Sequence, residues 1–493
     1  MTALPEGLTA VIFALTYILF LLSVGEFARR KSKQSREDYF LASRKFGGFL
    51  LFFSVLGTVA SAFTILGFPG EVYRSGLANF GAIAGSAILL IPITFATCGV
   101  RMWLAGKKFN LITPSQLLNH RYDSDILGLI LSLFMIVWTI PYLVLGGIGA
   151  GIAFEFMTGG LISYSLGAGI VLSVVTVYLI FGGMRGSGYT DVIQGILMLL
   201  LMTGFTAYIA SHLGGFSSAM ASSAEVNLDL LSREGEFTTE IWLSSLLMMG
   251  LSVLMYPHVM LRVFSGSSIK SLKKMFLFFP AGMFVLFSTS ALLGFWGQNQ
   301  ISGLTGEAAD RILPELLTAF APEYLAATAL VVILAALMSS LDSQTLSIST
   351  LISEDFLRDI YGMDDDSILS TSKVLTGLIM STVFVLTLIQ PGTIFFLVEF
   401  AFQGYALLFY PVVIGLYWRK ATEAGVIVGL VSGFVGLWLF QLGIIPSNFS
   451  FGFMPLAPLL LIQVFLTHIT SHFTEPPSEE KTDTYFKVFT DAW

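Results

Sequence analysis

The chain has 493 residues, 55% hydrophobic and 12% charged, whereas a soluble protein carries roughly 25% charged residues. That balance excludes an ordinary soluble domain and reads as an all-α polytopic membrane protein with no nucleic acid among its partners. The net charge of −7 says little, because membrane topology depends on where Lys and Arg lie, and the single cysteine, Cys98, excludes an intramolecular disulfide and a Cys-based metal site.

Taken in chain order, apolar runs of about 20 residues recur from end to end, each long enough to cross ~30 Å of hydrocarbon. Residues 1–7 hold no basic cluster, and the first run is followed by basic residues rather than a cleavage site. It reads as a retained helix, not a signal peptide. Hydropathy places thirteen spans near 8–27, 47–70, 77–105, 125–153, 161–183, 189–212, 240–265, 275–298, 324–355, 367–390, 393–417, 424–442 and 454–473. With the N-terminus outside, only Arg74, Arg233 and Arg311 of the 25 basic residues fall on the outer face. This asymmetry predicts an external N-terminus and a cytoplasmic C-terminus in a cell (plasma or inner) membrane. The loops at about 213–239 and 299–323 are then external and acidic (Glu225, Asp229, Glu234, Glu236, Glu307, Asp310, Glu315). They are solvated loops, or else a gate or a field that draws cations. The tail, 474–493, is polar, too short for a catalytic or signalling domain, and expected to be disordered.

Two spans look interrupted. The second, 47–70, carries Gly57, Thr58, Ser61, Thr64, Gly67 and Pro69; the seventh, 240–265, carries Gly250, Ser252, Pro257 and His258. Such residues often serve only packing or kinking. Their separation by five spans, however, points to an inverted-repeat transporter with its site near the midplane. The most informative stretch is Ile333–Ser343, where Ser339, Ser340, Asp342 and Ser343 crowd into about one turn of an apolar span, with Ala336 one turn earlier. A span normally avoids such groups. Oxygens without a nitrogen ligand are what a dehydrated hard cation such as Na+ requires.

Ordered motifs along the chain carry a family resemblance. They are Asp38-Tyr39-Phe40-Leu41-Ala42-Ser43-Arg44, Thr113-Pro114 with Arg121-Tyr122, Phe181-Gly182-Gly183 with Thr190-Asp191-Val192-Ile193-Gln194, Pro257-His258 with Arg262, Ala335-Ala336-Leu337-Met338-Ser339-Ser340-Leu341-Asp342-Ser343-Gln344, and Gly404, Pro411, Tyr417-Trp418-Arg419-Lys420-Ala421-Thr422 with Gly425. In these the chain resembles the sodium:solute symporter family, in the branch of the proline, pantothenate and monocarboxylate carriers. The resemblance implies a leucine-transporter-like core of ten helices in two inverted five-helix repeats, plus one N-terminal and two C-terminal helices. That divides the chain into 1–46 (first span and cytoplasmic loop), 47–212 and 240–417 (the repeats), 424–473 (the last two spans) and the tail 474–493.

Carried over, the family's sodium site falls on the carbonyls of Gly57, Ala60 and Ala336 and the hydroxyls of Ser339 and Ser340. Depth agrees independently: at ~1.5 Å per residue, Gly57 lies about 15 Å into its span. Asp191 matches an acidic position linked to sodium binding or release, and with Ser339, Asp342 and Ser343 it forms a second ion site or a release path. Alternatively, Asp191 is a helix N-terminal acid stabilised by the dipole. Val59 departs from the family pattern, which has Asp or Asn there, and removes a polar contact that organises the unwound segment. By resemblance the solute-lining candidates are Phe63, Thr64, Trp138, Tyr142, Met249, Val253, Tyr256 and Gln403. Ordinary core packing is the plainer role for any one aromatic among them. Glu399, four residues before Gln403 on one face, is a proton-coupling group or a hydrogen-bonded carboxyl. His258 is structural or a proton relay.

The chain thus reads as a secondary active transporter, not an enzyme, with Na+ as its coupling ion and a small organic solute, a carboxylate or amino acid, as cargo. Its partners are that solute, Na+ and the lipid bilayer, and its oligomeric state is open. The rivals are a proton-coupled carrier of the same fold using Asp191, Asp342 or Glu399, and a transporter-like sensing subunit. A membrane enzyme would need a metal cluster, a Ser-His-Asp set or a phosphate loop, and the sequence offers none.

Overall fold

The computed structural model describes residues 7–33, 35–226, 237–389 and 394–490. Asp229, Arg233, Glu234 and Glu236 of the first acidic loop lie outside the described residues. In chain order the main helices are α1 (Leu8–Lys31), a bent pair α2 (Gly48–Val59) and α3 (Phe63–Ser75), α4 (Phe80–Lys108), the short α5 (Ser115–Tyr122), α6 (Asp125–Met157) and α7 (Tyr164–His212). Next come a second bent pair, α8 (Thr239–Met255) and α9 (Pro257–Ser265), then α10 (Ile269–Gln300), α11 (Glu323–Arg358), α12 (Asp365–Ile389), α13 (Ile394–Tyr417), α14 (Glu423–Gln441), α15 (Leu456–Phe473) and α16 (Glu479–Thr490). Ten of these are long and apolar enough to cross a membrane, and the two bent pairs add up to two more.

Both bends fall where the interrupted spans were expected, at 60° between α2 and α3 and 52° between α8 and α9. Their causes differ. Pro257 lacks an amide proton and forces the residue before it out of the helical region; Tyr256 is accordingly extended, at φ −64° and ψ 121°. No proline breaks α2. There Ala60 turns extended (φ −73°, ψ 107°), and the Ser61 hydroxyl accepts from the Phe63 amide at 3.2 Å. Ser61 also accepts from the Tyr142 hydroxyl at 3.1 Å. It supplies the polar anchor that buried Val59 does not. At the opposite ends of the bent pairs, Phe46 and Gly266 form an isolated parallel bridge that ties the start of α2 to the end of α9.

At ~1.5 Å per residue, the 49 residues of α7 reach about 73 Å, over twice the ~30 Å hydrocarbon thickness. The helix is broken at Gly183 (φ +50°, ψ −147°), and its halves match the predicted spans 161–183 and 189–212. A Cβ on Gly183 would stand 2.7 Å from both the Tyr39 carbonyl oxygen and its ring. Gly183→Ala is therefore expected to destabilise the protein by about 2–4 kcal/mol, since a positive φ and a backbone clash add. Gly182→Ala, whose Cβ would meet nothing nearer than 3.9 Å, is the control. Thermal unfolding in detergent compares the two, and equal stability would refute the strain argument.

α7 packs along α1, α2, α6 and α11. The apolar stretch of α11 is 78% buried within the protein, against 28% for α12 and α15. The polar turn on α11 therefore faces protein, not lipid. The tail departs from expectation: α16 is an ordered helix with Tyr485, Phe486 and Phe489 buried. The Arg121 guanidinium lies over Phe486 at 5.2 Å and that of Arg101 over Phe489 at 5.0 Å, while Lys481 pairs with Asp123. The tail's polar average hides three aromatics on one helical face, and docking on α4 and α5 offsets their ordering cost.

Candidate ion and solute site

The bend after α2 frees backbone carbonyls, because the last residues of any helix have no amide one turn ahead to accept from. Those of Gly57, Thr58 and Ala60 turn toward α11. The Ser339 hydroxyl lies 2.7 Å from the Gly57 carbonyl and 3.1 Å from that of Ala336. The Ser340 hydroxyl lies 3.2, 3.3 and 3.4 Å from the carbonyls of Ala336, Ala60 and Thr58. All five residues expected at the sodium site thus converge, with Thr58 as an unforeseen sixth oxygen. Every one of these residues is buried. Two hydroxyl protons serve four carbonyls, so the cluster holds more acceptors than donors. It is oxygen-only and formally neutral. That donor set suits a monovalent hard cation and offers nothing to a soft one.

One turn further along α11, the residues expected to form a second ion site or release path also converge, around a buried cationic side chain. Arg262 of α9 is fully buried and places Nη2 3.0 Å from Asp191 Oδ2 and 3.8 Å from Asp342 Oδ1. It also donates to the hydroxyls of Ser187 and Ser343. Asp342 accepts from Tyr178 and Ser187, each at 2.8 Å, and Asp191 from Ser54 at 2.9 Å. Asp191 is thus no solvated helix-end acid; it stands eight residues past the Gly183 break, fully buried. Ser343 joins the two clusters, since its hydroxyl lies 2.8 Å from that of Thr58. Sequence reasoning missed Arg262 as the hub, although it stood in the Pro257-His258 motif, because only the fold brings α9 between α7 and α11.

The solute candidates divide. Tyr142 and Tyr256 form one cage with Phe402, their rings 5.1–5.8 Å apart, and Phe63 joins it at 5.9 Å from Phe402. Tyr142 links both helix breaks, through its hydroxyl to Ser61 and its ring to His258 at 5.8 Å. Thr64, Met249 and Val253 are buried, and the Thr64 hydroxyl has no partner. Two candidates point elsewhere. Trp138 packs on Phe400, Phe434 and Trp438, and Gln403 accepts from the Leu456 amide at the start of α15. Both tie the core to the C-terminal helices. Glu399 accepts from the Gln403 side chain at 3.3 Å and lines a cavity of about 770 Å³ with Glu71 and Asn79, apart from the inner carboxylates. Phe402 and Ser61, absent from the sequence-derived set, take part in the cage.

Two carboxylates outside the spans hold neighbouring segments, Asp38 that of Lys33 and Ser43 against Arg185 and Asp310 the end of α3. Burial raises Asp38, yet Arg185, the Ser43 hydroxyl and the Lys33 amide outweigh it and hold its carboxyl down at about 2. Burial pushes Asp310 up to about 6 against the Arg74 guanidinium of α3.

A profile of the sodium:solute symporter family matches residues 39–433. Among similar proteins, the sodium/pantothenate symporter of Haemophilus influenzae is 26% identical over 88% of this chain and 90% of that protein. The sodium/pantothenate symporter of Escherichia coli is 25% identical over 94% and 97%, and the sodium/proline symporter of Staphylococcus aureus 28% identical over 97% and 96%. Among solved structures, a Na+-coupled sialic acid symporter in a substrate-bound outward-open state superposes with a TM-score of 0.79 at 18% identity, over 96% of this chain and 99% of that one. MhsT in complex with L-phenylalanine superposes with a TM-score of 0.52 at 14% identity, over 85% and 98%. The fold is that of the leucine-transporter-like sodium symporters.

Proposed function

The chain belongs to the sodium:solute symporter family, and on that premise we propose that it imports a small organic carboxylate with one Na+ by alternating access. It is a multi-pass Na+-coupled solute symporter, not an enzyme. The observation that carries the ion assignment is the six-oxygen cluster between α2 and α11, where four carbonyls face two hydroxyl protons. Gly57, Thr58, Ala60, Ala336, Ser339 and Ser340 would hold Na+ there. Binding ties the broken helix to α11, and so orders the cage of Tyr142, Tyr256, Phe402 and Phe63 next to it. Asp191, Asp342 and Ser343 serve as a release path on the cytoplasmic side rather than as a second ion site, because the Arg262 guanidinium already occupies the space among them.

A carboxylate is favoured by the two helix breaks, since a helix N-terminus attracts anions. It also fits the relatives named for pantothenate and proline, both carboxylates. Further parts of the reading are thirteen spans, counting α7 as two, an external N-terminus in a plasma or inner membrane, and repeats over 47–212 and 240–417. At −100 mV one inward Na+ delivers ~2.3 kcal/mol of electrical work, enough to concentrate a solute. The test is thermal stabilisation of purified protein by small carboxylates and amino acids in NaCl and in KCl. The expected result is stabilisation in Na+ alone. A solute that stabilises equally in K+ would sink the coupling and favour a proton-driven carrier.

A further inference from the structure

His258 is fully buried, and neither Nδ1 nor Nε2 has a hydrogen-bond partner. A buried polar group left unpaired costs about 1–3 kcal/mol, and folded proteins keep few of them. The imidazole stacks on the Tyr256 ring at 5.2 Å and 23° and lies 5.8 Å from the Tyr142 ring, so it forms one wall of the solute cage. The tyrosine hydroxyls around it bond elsewhere, Tyr142 to Ser61, Tyr256 to Ser252 and Tyr405 to Thr139, and none of them bonds to the imidazole. Among the charged groups at this wall, Arg262 contacts the His258 carbonyl at 3.5 Å, and the carboxylates beyond it are already engaged by Arg262 and hydroxyls. His258 is also the second residue of α9, where the helix dipole favours an anion. A neutral imidazole has one N–H to donate, and among the described residues no group accepts it.

We infer that His258 binds the transported solute, its imidazole N–H donating a hydrogen bond to the solute carboxylate while Tyr142, Tyr256 and Phe402 enclose the apolar body. This rests on the carboxylate reading above and adds a donor whose bond to a charged carboxylate is stronger than its bond to a neutral carbonyl or hydroxyl. Here His258 acts as a hydrogen-bond donor, not as a relay for protons.

The experiment measures dissociation constants on purified full-length protein in NaCl for acetate, L-lactate, L-proline and pantothenate, each beside its carboxamide or alcohol analogue. The variants are His258→Phe, which keeps the stacking on Tyr256, and His258→Leu. Stabilisation by Na+ without solute reports an intact fold and ion site. The expected result is a carboxylate affinity weakened tenfold or more in whichever variants keep the Na+ response, with that of the neutral analogue weakened by a smaller factor. Unchanged carboxylate affinity would overturn the inference, as would loss of the Na+ response in both variants, which would make His258 a structural residue. If no carboxylate binds the unsubstituted protein, or neutral analogues bind it as well, the carboxylate reading itself has failed.

Discussion

Ser339→Ala/Ser340→Ala is expected to raise the Na+ concentration for half-maximal solute binding by on the order of 100-fold or more, or to abolish Na+ dependence. In the proposed site each hydroxyl would be one ion ligand, and each donates to freed carbonyls of α2, Ser339 to Gly57 and Ser340 to Ala60. Losing a ligand to a charged species costs about 1.5–3 kcal/mol, and every 1.4 kcal/mol is tenfold in affinity. Ser347→Ala is the control, because that hydroxyl bonds only to the Gln344 carbonyl on its own helix. Equilibrium binding of radiolabelled solute against a NaCl series checks the result. An unchanged sodium curve in the double variant would remove the ion from this cluster.

Arg262→Met is expected to be the most damaging single change in the buried cluster of Arg262, Asp191 and Asp342. It leaves Asp191 and Asp342 buried without a counter-charge, and breaking a buried pair in this way costs about 3–5 kcal/mol. The protein should express poorly and unfold early in detergent. The triple variant Arg262→Met/Asp191→Asn/Asp342→Asn removes all three charges and should regain most of that stability, since an intact buried ion pair contributes little net stabilisation. Transport should stay lost in the triple variant while Na+-dependent stabilisation survives. Recovery of solute uptake would show that the charged network serves folding alone. A fully stable single variant would contradict the geometry.

How much of the site was legible along the chain depended on which contacts it uses. The pairing of Ala336, Ser339 and Ser340 lies within about one turn of one helix, and the spacing alone places those oxygens together. The interruption at Tyr256 was legible because Pro257 acts on its immediate neighbour. Trp138 and Gln403 looked like solute contacts from their place on core helices; they face α14 and α15 instead. The tail's order was hidden because its average polarity conceals the face formed by Tyr485, Phe486 and Phe489. Arg262 was visible as a motif residue, but its partners lie 71 and 80 positions away, on Asp191 and Asp342.

By itself, the sequence determined everything that composition and neighbours within a helical turn dictate. That covers the membrane class, the apolar helices, the two interrupted helices, the polar turn on α11 and, through its ordered motifs, the family. Tertiary structure alone decided that Thr58 completes the oxygen cluster, that a guanidinium already fills the space between Asp191 and Asp342, and that His258 is left with both nitrogens unpaired against the cage. The reason is physical. Hydropathy and turn chemistry act on residues close in the chain, whereas a cation's oxygens, a buried charge and an orphaned hydrogen-bonding group are defined by the atoms that other helices bring into contact.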